Sequence, residues 1–89
     1  MPYIRPEDRD RLDPTPRTES ALTAGELNYQ ITCLVNRYLA QTSLRYADIN
    51  EVIGVLECAK LELYRRIAAP YEDDAIERNG DVYTCAPAR

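Results

Sequence analysis

From Leu27 onward, apolar residues return at three- and four-residue steps: Leu27, Ile31, Leu34, Val35 and Tyr38 make one stripe along a helix. Just ahead of them, Thr23-Ala24-Gly25-Glu26 fits a capping box, with the Thr hydroxyl and the Glu carboxylate serving the free amides of the helix start. The stripe fades at Gln41-Thr42-Ser43. A second helix is predicted to start between Ser43 and Asp48 and to run to about Ala69, where Pro70 stops it. On that helix Ile49, Val52, Ile53, Leu56, Ala59, Leu63, Tyr64 and Ile67 gather on one broad face, suited to packing against the first helix as an antiparallel hairpin. Val55, Cys58 and Leu61 point elsewhere, among Glu51, Glu62 and Arg65. A lone hairpin has nothing to cover this second set, which calls for the N-terminal arm, the C-terminal segment or another copy of the chain.

Residues on either side read differently. Pro2, Pro6, Pro14 and Pro16 preclude a long helix at the start of the chain, although a short one is expected from Pro6 toward Leu12. Residues 1–23 therefore read as an arm, with Tyr3, Ile4 and Leu12 as its apolar anchors. After Pro70, Tyr71-Glu72-Asp73-Asp74-Ala75-Ile76-Glu77-Arg78 carries acids first and a base last, as a short helix prefers, and Asn79-Gly80 ends it. Asp81-Val82-Tyr83 is expected to extend and pair locally, and residues 84–89 to form a flexible tail. The expected fold is all-α: a helical hairpin with a short C-terminal helix and an N-terminal arm, with residues 24–83 as the helical domain, assembled as a homo-oligomer.

Composition narrows the chemistry. The 89 residues allow one domain, and a chain this short buries only ~60–65 % of its extended surface, so a partner subunit would help considerably. There is no His, hence no imidazole base, His metal ligand or His-activated nucleophile. A formal charge of −4 argues against binding long nucleic acid through its phosphates. No run is long and apolar enough for a membrane span, and the charged, Pro-broken start does not look like a signal peptide. Three cysteines without a C-x-x-C spacing read as reduced thiols in a cytoplasmic protein. All 7 aromatic residues are Tyr and every basic residue except Lys60 is Arg, a pairing common at contact surfaces but also the product of a GC-rich genome.

Candidate contact residues follow from placement. Lys60 sits near the middle of the apolar face, where its amine either pairs with a carboxylate at the hairpin edge or meets a ligand or subunit. Arg65 and Arg66 suit the end of a helix, yet with Tyr64 and Tyr71 they also compose a patch fit for a phosphate with a stacked base, or for an acidic partner. Asp48-x-x-Glu51 and Asp74-x-x-Glu77 have the spacing of Mg²⁺-binding carboxylates, although acids in a first helical turn are expected anyway. Cys33 and Cys58 read as small fillers. No catalytic residue, metal ligand or cofactor is expected.

The chain resembles a family of small uncharacterised helical proteins of bacteria and tailed phages. The matching residues are Leu27-Asn28-Tyr29-x-Ile31-Thr32, then Asn50-Glu51-x-Ile53-Gly54-Val55-Leu56-Glu57-Cys58-x-Lys60-Leu61-Glu62-x-Tyr64-Arg65-Arg66. They continue in Pro70-Tyr71-Glu72-Asp73, Asn79-Gly80-Asp81-Val82 and the opening Met1-Pro2-Tyr3-Ile4. By analogy, a phage setting implies a non-enzymatic oligomer that sequesters a nucleotide signal of host immunity. Lys60, Arg65 and Arg66 would then hold phosphate while Tyr64 or Tyr71 stacks. The alternatives are a protein–protein adaptor or inhibitor acting on a host protein, and a Mg²⁺-dependent nucleotide hydrolase.

Overall fold

Thr23 caps the first long helix as its sequence context requires. Its hydroxyl accepts the Glu26 amide at 3.1 Å, and the Glu26 carboxylate accepts the amide of Leu22, also at 3.1 Å. The computed structural model describes residues 1–13 and 19–85. Helix α1 spans Pro6–Leu12, α2 Ala24–Ala40, α3 Tyr46–Leu63 and α4 Ala69–Asn79, and a wider π turn, Tyr64–Ala68, joins the last two. Among the described residues there is no strand, so the all-α expectation holds. Pro6 opens α1, where its fixed φ and missing amide cost nothing, with Glu7 and Asp8 in the first turn and Arg9 and Arg11 in the last. Gly80, at φ 90°, closes α4 by donating its amide to the Ile76 carbonyl at 2.7 Å. Beyond it Asp81 forms a local turn, its carboxylate accepting the Tyr83 amide at 2.9 Å, so the extended pairing expected there is absent. Pro14 and Pro16 of the arm, and residues 86–89 of the expected tail, lie outside the described residues.

The corner between α2 and α3 is built from polar side chains. Thr42 donates its hydroxyl to the Leu39 carbonyl at 2.8 Å and accepts the amide of Leu44 at 3.1 Å. Leu44 takes φ 54°, a left-handed conformation rare for a residue with a branched side chain. The chain then enters α3 at Arg45, whose amide is accepted by the Asp48 carboxylate at 3.0 Å. Asp48, 5 % exposed, is the single buried side chain among the described residues. Those bonds from Arg45, backbone first and side chain second, hold its carboxyl below the usual range.

Pro70 does not end the second helix as the sequence predicts. Residues 46–79 form one uninterrupted helical run through it. A proline lacks an amide and its ring collides with the carbonyl four residues back, here that of Arg66. The π turn resolves this, because the Ala69 amide bonds the Tyr64 carbonyl five residues earlier and the widened backbone leaves room for the ring. The extra residue also rotates everything downstream. Tyr64 and Glu72, eight positions apart, come into line two turns from each other, and the Tyr64 hydroxyl donates to the Glu72 carboxylate. That negative acceptor raises the phenol above its ordinary value.

Helix α3 meets α2 in part on the face the periodicity favours, through Val52 and Leu56, with Glu51 and Val55 beside them. Glu51, Val52, Val55 and Leu56 line a groove with Ile31, Leu34, Val35 and Tyr38 of α2, and Tyr38 donates to Glu51 across it at 3.2 Å. Val55, expected on the other side, also borders this groove, whereas Ile53 does not, and both stay more than half exposed. Apolar residues occupy most of the circumference of α3, so spacing alone does not choose a side, and the Asp48 corner with the Tyr38–Glu51 bond sets the rotation. Met1, Pro2 and Tyr3 of the arm lie against Cys58, Leu61 and Glu62 farther along. None of these contacts closes a core. No apolar side chain among the described residues is buried, and the accessible surface is 8429 Å². A globular monomer of this mass exposes about 5,300 Å². The radius of gyration, 17.8 Å, likewise exceeds the ~12 Å of a compact 89-residue chain.

Two consequences are measurable. Because the Asp48 carboxyl is depressed on folding, its contribution is complete above the ordinary carboxyl range and disappears as pH falls through the lowered value. The stability difference between the parent chain and Asp48→Asn, followed by circular dichroism, should be constant above about pH 5 and shrink below about pH 4. A difference that grows on acidification would contradict the capping account. Separately, Pro70→Ala should restore regular α bonding and take Tyr64 out of line with Glu72. Spectrophotometric titration should then show one fewer late-ionising tyrosine, as it should for Glu72→Gln.

Candidate functional site

The best-connected polar cluster lies where the arm meets the end of α3. Glu62 accepts from the Tyr3 hydroxyl and, on the same helix, from Arg65 at 3.1 and 3.4 Å. These bonds, Tyr3 first, with the charges of Arg65 and Arg66 behind them, lower the Glu62 carboxyl, and the Tyr3 phenol is raised in return. Arg66 borders the hollow between the arm and α3, together with Tyr3, Ala59 and Ile67. Arg65 and Arg66 thus share one region, and the arm contributes a tyrosine to it.

The other sequence-selected residues stand apart. Lys60 pairs with Glu57 at 3.0 Å on the exposed surface, the carboxylate partnership that its position among apolar neighbours suggests. Tyr64 follows Lys60 by one turn and is held by Glu72, while Tyr71 is 71 % exposed. Lys60, Tyr64 and Tyr71 border neither the arm hollow nor the α2–α3 groove. The five residues follow one another in sequence over the end of α3, the π turn and the start of α4, but no described cavity gathers them. The Lys60–Glu57 pair is exposed and screened by water, so an anion can compete with Glu57 for Lys60, whereas Glu62 is half-buried and also holds Tyr3.

Sequence reasoning missed Tyr3 as a member of this cluster, for it lies 59 residues from Glu62 and no local pattern joins them. It also missed the α2–α3 groove as a feature in its own right. That groove, about 320 Å³, is lined by seven apolar or aromatic side chains and one carboxylate, that of Glu51. Among the described residues no three His, Cys, Asp or Glu side chains gather in a way that could hold a metal. Asp48 is committed to the corner and Glu51 to Tyr38. Cys33, Cys58 and Cys85 are free thiols, and the Cys33 thiol one helical turn on raises the Tyr29 phenol. No described helix is long and apolar enough to cross a membrane.

No curated protein and no solved structure matches the chain. Residues 1–82 match the domain of unknown function DUF6899, a span that takes in the arm, its contact with Glu62 and all four helices. The chain belongs to the DUF6899 family.

Proposed function

We propose that the chain is a small non-enzymatic binding protein whose working form is a homo-oligomer built on an antiparallel α2–α3 hairpin. One observation carries this reading: the folded chain exposes about 3,000 Å² more surface than a globular monomer of its mass, and no described apolar side chain is buried. Exposed apolar patches beyond a few hundred Å² belong to interaction surfaces. The ligand in this proposal is a nucleotide signal of bacterial immunity, which the oligomer sequesters without turnover. Lys60, Arg65 and Arg66 supply cations for its phosphates, and Tyr64 or the open Tyr71 supplies a ring for its base.

The apolar α2–α3 groove also favours a second reading, an adaptor that lays this surface on a host protein. The two readings separate in solution. Light scattering coupled to gel filtration at about 10 µM should give a mass of two or more chains, the regime of an obligate interface. Calorimetric titration with ATP and with a cyclic dinucleotide should detect binding whose affinity Arg65→Ala and Arg66→Ala each weaken by about tenfold, the weight of a charge-assisted bond to phosphate. A folded monomer indifferent to both nucleotides would overturn the proposal in favour of an adaptor. Mg²⁺-dependent phosphate release would overturn its non-enzymatic part.

A further inference from the structure

We propose that the α2–α3 groove is the seat of the same groove from a second copy, two chains meeting face to face so that four helical segments enclose one apolar core. The inference rests on the oligomeric reading above and locates its interface. A twofold contact places one surface patch against itself, so the patch must be self-complementary. Ile31, Leu34, Val35, Val52, Val55 and Leu56 satisfy this because an apolar surface matches its own copy. A charged surface does not, and each chain carries a net −4, so pairing through the charge-poor face keeps the acids of two copies apart. The carboxylate at its edge, Glu51, is occupied by Tyr38.

Dimensions agree with this occupant. Helices α2 and α3 have 17 and 18 residues, hence ~25 and ~27 Å, and two copies supply four segments of nearly equal length, as a four-helix bundle requires. The surface of the whole chain exceeds that of a compact monomer by about 3,000 Å², more than the ~800 Å² per partner of a standard stable interface, so a contact centred on the groove draws on only part of that excess. A chain with no buried apolar side chain of its own also needs its cover whenever it folds, and a second copy is always present in equal amount.

Leu34 and Ile53 make the test, because they are 62 % and 58 % exposed in the single chain but only Leu34 lines the groove. In a background with Cys33, Cys58 and Cys85 replaced by Ser, Leu34→Cys and Ile53→Cys are labelled with a maleimide at concentrations where light scattering reports the oligomer. The expected result is labelling of Leu34→Cys at least about tenfold slower than Ile53→Cys, with the two rates converging on dilution as the copies separate. Leu34→Arg in the parent chain should reduce the mass to that of a monomer. Equal labelling rates in a chain whose mass remains oligomeric would overturn the groove assignment alone. A parent chain that stays folded and monomeric at every concentration would overturn the oligomeric reading with it.

Discussion

Two helices that cross near one corner touch along one line, and a helix that is apolar around most of its circumference cannot be covered from one side. This geometric shortfall governs the molecule. Helix α2 reaches Val52, Val55 and Leu56 of α3, and the arm reaches the region of Cys58 and Leu61, yet neither contact fully buries an apolar side chain. The entropy of ordering a chain is about 1–2 kcal/mol per residue, and the burial of apolar surface must offset it. A single chain that fully buries no described apolar side chain gains less of that offset than a compact domain of its size. In the proposed assembly the missing burial lies between molecules.

Within this open frame, polar and backbone constraints decide where each face looks. The Asp48 carboxylate fixes the start of α3, and Leu44 in a left-handed conformation turns the chain into it. The Tyr38–Glu51 bond sets the roll of α3 against α2. Farther on, Pro70 demands a wider turn, and that turn rotates α4 so that Glu72 reaches Tyr64. The Arg65–Glu62–Tyr3 cluster then ties the arm beside the same helical end. The result is one face that is apolar and nearly free of charge, and one end that carries cations and tyrosines.

What is legible in the sequence is what local chemistry decides. The Thr23 cap, the Pro6 start and the Gly80 stop each depend on residues a few positions apart, and each stands where the spacing places it. The continuation through Pro70 is not legible, because a proline both breaks helices and is tolerated after a π turn, and local sequence does not separate these outcomes. Nor is the face of α3. Its apolar residues fill too much of the helix for a 100° period to choose between Ile53 and Val55, and the choice falls to contacts with another element. The polar cluster divides in the same way. Arg65 and Arg66 are neighbours in sequence and stand out together, whereas Tyr3 arrives from the other end of the chain.

The central proposal is that helices and assembly form together, the apolar surface of one copy being sheltered by another. The most direct measurement is the thermal midpoint of the helical circular dichroism signal over a hundredfold range of protein concentration. The account predicts a midpoint that rises steadily with concentration, as it must when folding and association are one equilibrium. A midpoint that stays constant across that range, with full helicity at the lowest concentration, would contradict it.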